Sequence, residues 1–230
     1  MKRQLFELLG KDDRRFSPYC WRTRFALAHK GLEAEYIPCT FGEKSKFAFS
    51  GQDKVPVLKD GETSVHDSWS IACYLEDKYP DRPSLFGGAV GRAEARFFNV
   101  YVDRELQGAL APLIILDIFN STDPADRAYF RETREKRFGA KLEDVQAQRE
   151  QRRPALQKAL APLSAVLAEQ PFFCGESPAY ADYIVLGSFQ LARGVSPLKL
   201  LEPNDPLHAW RARMMELFGG LANSTNSYPV

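Results

Sequence analysis

The sequence predicts an α/β domain over residues 1–80 and an all-helical bundle over residues 91–230, joined by a linker at 81–90. Three observations predict this. Before Pro80, short strand-like runs alternate with helical ones. After Gly91, apolar residues recur at helical spacing in long segments, with no strand-like run among them. Between the two, Pro80-Asp81-Arg82-Pro83 breaks any continuous helix.

Gln4–Leu9 reads as a first strand, closed by Gly10 and followed by a charged loop, Lys11 to Phe16. Ser17-Pro18 is a helix start, because serine caps and proline suits the first turn, where its missing N–H needs no partner. That helix runs to Lys30 and stops at Gly31. Glu35–Thr40 is a second strand, so the first three elements form a βαβ unit with a parallel pair. Lys44–Asp53 is irregular. Val55–Leu58 is a third strand, Asp60-Gly61 a hairpin signal, and Ser64–His66 a fourth strand. Asp67-Ser68 opens a helix that ends at Lys78. This order, βαβ then ββα, is that of a thioredoxin-like domain. Five helices follow: Arg92–Phe119 with a kink at Pro112, Pro124–Phe138, Leu156–Glu169, Tyr180–Arg193 and Pro206–Phe218. The tail, Asn223 to Val230, is expected to fray.

Composition narrows the function. With 31 basic and 30 acidic residues, the chain has a net charge of +1, which disfavours nucleic acid or an anionic membrane as partner. No apolar run is long enough to span a bilayer, and the start at Met1-Lys2-Arg3-Gln4 leads into Glu7 and Gly10 instead of a signal sequence. A cytoplasmic location is the expectation. Cys20, Cys39, Cys73 and Cys174 are scattered and read as free thiols, and neither they nor the three histidines have metal-ligand spacing.

Three signals carry chemistry, with Lys54 as a fourth candidate beside them. Ser17 stands where a helix N-terminus stabilises an anion, and its hydroxyl can donate to a thiolate; the simpler reading is a helix cap. Pro56 inside a strand-like run lacks a ladder donor. A cis bond there would expose the Val55 main chain to an extended ligand, whereas a trans proline on an edge strand would not. Asp67 and Ser68 can hold an ammonium and a carboxylate, or only cap their helix. Lys54 is either a partner for a second carboxylate or a solvated charge. A thiolate site, an extended backbone edge and an amino-acid clamp together fit glutathione.

Ser17-Pro18-Tyr19…Arg22, Lys54-Val55-Pro56-Val57-Leu58 and Asp67-Ser68…Ile71…Tyr74-Leu75 resemble the glutathione-binding half of glutathione transferases. Ser17–Thr23, Ala26–Gly31, Asp67-Ser68-Trp69, Asp77–Pro83, Arg134-Glu135-Lys136 and Leu142–Gln146 are similar to bacterial β-etherases and their fungal relatives. The resemblance implies the glutathione transferase fold, glutathione as co-substrate, a small hydrophobic electrophile, a homodimer and a detoxification role. It implies Ser17 as the catalytic hydroxyl and Val55 before a cis-Pro56 on the cysteinyl backbone. It also implies Asp67 and Ser68 on the γ-glutamyl group and Lys54 on the glycyl carboxylate. Tyr19 and Trp21 are expected in the pocket wall. Gly175 to Asp182 resembles the family's capping segment, with Ala179 where a hydroxyl or amide is usual. The chain also ends sooner after its last helix than some β-etherases do. Two other readings stay open: a ligand-binding module without catalysis, and thiol–disulfide exchange through Cys20.

Overall fold

The computed structural model describes residues 3–229. Four strands, β1 (Arg3–Leu8), β2 (Ala34–Cys39), β3 (Val57–Asp60) and β4 (Thr63–His66), form one sheet in the order β2-β1-β3-β4. β1 pairs parallel with β2 and antiparallel with β3, and β3 pairs antiparallel with β4. Helix α1 (Pro18–His29) makes the crossover between β1 and β2, and α2 (Ser68–Lys78) follows β4. This is the thioredoxin-like arrangement, and a helical unit follows it: α3 (Ala89–Tyr101), α4 (Gln107–Ser121), α5 (Arg127–Phe138), α6 (Leu142–Ala147), α7 (Arg149–Leu167), α8 (Tyr180–Val195) and α9 (Pro206–Gly220).

The third strand begins two residues later than the sequence suggests. Pairing starts at Val57, opposite Phe6 and His66, because Pro56 has no N–H to give the ladder and its bond to Val55 is cis. The expected long helix Arg92–Phe119 is divided by a π turn at Val102–Leu106. It also bends where Pro112 sits inside α4 and Ile114 leaves helical φ/ψ. The short helix α6 has only six residues, too few for its periodicity to stand out.

The tail is docked, contrary to the expectation of fraying. Tyr228 N–H donates to the Arg193 carbonyl at 2.7 Å, its ring lies under the Arg14 guanidinium, and Asn226 Nδ2 donates to the Asp12 carbonyl at 2.8 Å. Val230, like Met1 and Lys2 at the other end, lies outside the described residues. Among the described residues no helix is long and apolar enough to cross a membrane.

Helix α8 organises the core. Nearly every residue in it is buried, and it packs on α1, α3 and α4. It comes close to α1 at Gly187, where a Cβ would lie 2.6 Å from the Pro18 carbonyl oxygen. Only glycine lets the two backbones meet this closely, and the contact fixes the N-terminus of α1 against the helical unit. At the start of α8, Ala179 offers no side-chain cap, and Asp182 supplies only the reciprocal half of a capping box. Its Oδ1 accepts from Phe173 N–H and the Trp210 indole N–H, both at 2.9 Å, and Oδ2 accepts from Ala179 N–H at 3.1 Å.

Candidate functional site

Ser17 is the N-cap of α1, as its place before Pro18 requires. Its Oγ accepts from Cys20 N–H at 3.3 Å, a contact that uses an acceptor lone pair, while the hydroxyl proton also lies toward the Cys20 sulfur and turns from it to serve a ligand. Pro18 has no N–H and Trp21 N–H returns to the Ser17 carbonyl. In this first turn Tyr19 N–H is left without a partner among the described residues. A hydroxyl, a free amide and the positive end of a helix therefore converge at one point, an environment that stabilises an anion.

This point opens on a cavity of about 300 Å³. Ser17, Pro18 and Tyr19 form one side, Lys54 and Val55 another, and α4, α5 and the segment after β2 close much of the remainder. Val55 precedes the cis proline, outside β3, and among the described residues neither its N–H nor its carbonyl is hydrogen-bonded. It is an extended piece of main chain with both groups available. Lys54 is exposed and has no ion-pair partner among the described residues.

Asp67 and Ser68 are not in the wall of this cavity. Asp67 has φ of 68° and caps α2, its Oδ1 accepting from Trp69 N–H at 3.1 Å and Ser70 N–H at 3.0 Å. Its second carboxylate oxygen remains available, as does Ser68 N–H, which is unpartnered among the described residues, while the Ser68 hydroxyl lies against that of Tyr180. The Ser68 carbonyl is held by the Tyr180 hydroxyl at 2.7 Å, tying the start of α2 to α8. Asp67 is close enough to the cavity for its charge to raise the pKa of Tyr19, behind the larger effects of burial and Asp103.

Tyr19, 38% exposed, lines the cavity with the Arg22 guanidinium stacked 4.9 Å from its ring centre. Arg22 is itself buried and paired with Asp103 at 2.8 Å, so α1 is bolted to the π turn behind the tyrosine. Trp21 is elsewhere. It is 2% exposed, packs on Phe25 and donates its indole N–H to the Arg15 carbonyl at 2.6 Å. Cys20 is 3% exposed and does not line the cavity. Burial, and then Glu7, push its thiol up to about 12, so it is protonated at neutral pH and a poor nucleophile.

The remaining wall is aromatic and cationic: Phe41, Tyr129, Phe130, Arg134 and Arg137, with Ile115 from α4. Sequence reasoning attached no role to these residues. Their common feature, a helix face on α5 with Tyr129, Phe130 and two arginines within nine positions, is also that of an ordinary half-buried helix.

Comparisons with known proteins bear on the family and the fold. Residues 13–83 match the family model described as glutathione S-transferase, N-terminal domain, and residues 93–205 match that described as glutathione S-transferase, C-terminal domain. The probable glutathione S-transferase GSTU1 of Oryza sativa subsp. indica is 39% identical over 101 residues, which is 39% of this chain and 44% of that one. The match therefore spans less than half the length of that relative. Among solved structures, glutathione transferase GSTFuA2 from Phanerochaete chrysosporium is 26% identical with a TM-score of 0.77, covering 96% of this chain and 94% of that one. A glutathione S-transferase of Ceriporiopsis subvermispora, solved in complex with glutathione, shares the fold with a TM-score of 0.82 at 23% identity, covering 98% and 99%.

Proposed function

Because the chain belongs to the glutathione S-transferase superfamily, we propose that it is a glutathione transferase in which the Ser17 hydroxyl donates to the thiolate of bound glutathione. One observation carries the reading: a capping hydroxyl beside an unpartnered amide, at the mouth of a cavity bordered by an open stretch of main chain. In this account the Val55 main chain pairs with the cysteinyl unit, next to the cis-Pro56 bond. Asp67 and Ser68 hold the γ-glutamyl ammonium and carboxylate, and Lys54 meets the glycyl carboxylate.

A free thiol has a pKa of about 8.5, and stabilising its anion at a helix N-terminus raises the fraction present as thiolate at neutral pH. The sulfur then attacks an electrophilic carbon held against the apolar wall. A carbon–sulfur bond forms, the bond to the leaving group breaks, and the leaving group departs with the electron pair. The aromatic lining favours an aromatic electrophile. An aryl ether beside a ketone, losing phenolate, is the first class to test. We place the homodimer contact on α3, where Phe97 is 68% exposed and Val90 is also uncovered, and sedimentation would test it.

The function is tested by incubating the chain and its Ser17→Ala variant with glutathione and a panel of β-aryl ethers and chlorodinitrobenzene. Turnover by the wild type, cut by about 10²-fold in the variant with glutathione affinity kept, is the expected result. Binding of glutathione with no turnover across the panel would mean a ligand-binding module instead.

A further inference from the structure

The cavity wall holds more positive charge than its own acids balance. Lys44, Lys54, Arg134 and Arg137 line it, and the acid among the lining residues, Asp53, already lies 3.5 Å from Lys44. Among the described residues no carboxylate pairs with Arg134 or Arg137. This contrasts with Arg131 on the same helix, which is held by both Glu135 and Glu143.

Arg134 and Arg137 are three residues apart on α5, so both project from one side of the helix toward the cavity. Arg134 is half-buried. Its guanidinium lies 4.7 Å from the centre of Phe130 and 5.7 Å from that of Phe41, and its Nη1 donates to the neighbouring Thr133 hydroxyl at 2.8 Å. Burial, with a smaller effect from the charge on Arg137, lowers its pKa. The half-buried Arg134 and the exposed Arg137 carry like charges that repel each other, and an anion placed between them removes that cost. Guanidinium groups recognise planar anions such as carboxylates in a two-pronged manner, and the flanking rings offer a flat apolar slot beside them.

We propose that Arg134 and Arg137 form an anion-binding subsite in this cavity, and that the second substrate is an aromatic compound bearing a carboxylate or an equivalent planar anion. The assignment of this anion to the second substrate rests on the glutathione reading above, in which the tripeptide's own carboxylates lie with Ser68 and Lys54.

The probes are 2-naphthoate and 2-naphthamide, which share a ring system and differ in charge. Each is titrated calorimetrically into the full chain, with and without saturating glutathione, and into Arg134→Gln/Arg137→Gln. A hydrogen bond to a charged group contributes about 1.5–3 kcal/mol, so naphthoate should bind at least about tenfold more tightly than naphthamide. The double variant should lose this preference while keeping its naphthamide affinity, and glutathione should leave naphthoate affinity unchanged. Equal affinity of the two probes for the wild type overturns the proposal. So does a preference that survives in the variant, or displacement of naphthoate by glutathione, which would assign the cations to the tripeptide. Should the double variant lose naphthamide binding as well, the single variant Arg137→Gln, altered at an exposed side chain, decides the matter by whether the preference falls. Glutathione titrated alone is a separate arm. A failure to bind there removes the transferase reading, while the comparison of the two probes still decides the subsite.

Discussion

Asp182→Ala should be among the most damaging single substitutions in the chain. The carboxylate is fully buried and accepts from Phe173 N–H, Ala179 N–H and the Trp210 indole N–H. Truncation leaves these three N–H donors without an acceptor and also removes the partner of the Cys174 thiol. Each orphaned buried donor costs about 1–3 kcal/mol, and partial relaxation or an entering water offsets some of that, giving about 3–5 kcal/mol overall. For a chain of this size each kcal/mol moves the melting temperature by roughly 2–4 °C, so the variant should melt about 6–20 °C lower. Asp182→Asn refines the argument. Its amide oxygen can replace Oδ1, which serves Phe173 and Trp210, but its NH₂ then faces the Ala179 N–H, donor against donor. One of the three N–H contacts is lost, and the cost should be about 1–3 kcal/mol. Calorimetry on the three proteins gives the order wild type, Asn, Ala. A melting temperature for Asp182→Ala close to wild type, or an Asn variant worse than Ala, would refute the accounting of donors.

Other substitutions probe the frame around the cavity. Ala179→Ser supplies the side-chain acceptor that the N-cap of α8 lacks, and should stabilise the chain by about 0.5–2 kcal/mol, read as a higher denaturation midpoint. Gly187→Ala puts a methyl group 2.6 Å from the Pro18 carbonyl oxygen, so despite alanine's helix propensity it should destabilise by about 1–3 kcal/mol. A neutral or stabilised Gly187→Ala would mean that α1 and α8 separate easily. His29 is packed on Tyr183, whose hydroxyl lies 2.6 Å from Nδ1, and burial, helped by Lys30, holds its pKa below the ordinary 6.5. The unfolded chain therefore takes up this proton first, and the contribution of His29 to stability, full above pH 6.5, declines as pH falls through that value toward the lower folded one. Urea midpoints for wild type and His29→Gln should accordingly converge as the solution is made acidic, and a constant gap across the range would contradict this.

What could be read from the sequence is what is local. Ser17-Pro18 and Asp67-Ser68 declare themselves because capping depends on a few neighbouring residues. Pro56 stands out because proline conflicts with a strand ladder. The expectation for Trp21 went astray for a geometric reason. Two residues along a helix turn through roughly 200°, so a helix that shows Tyr19 to the cavity must turn Trp21 away from it. The cationic wall is non-local: Arg134 and Arg137 come to line one cavity with Phe41 and Lys54 only in the folded chain. Arg22 would pass for a surface residue until Asp103, 81 positions later, is seen to meet it.

The central claim is that the Ser17 hydroxyl and the N-terminus of α1 hold a sulfur anion. The near-ultraviolet absorbance of the thiolate, followed against pH for glutathione bound to the wild type and to Ser17→Ala, measures that directly. The account predicts a bound thiol titrating at least about one unit below its free value of about 8.5, and a return toward that value in the variant. A bound thiol that titrates as it does in free solution, or an equal depression in both proteins, would contradict it.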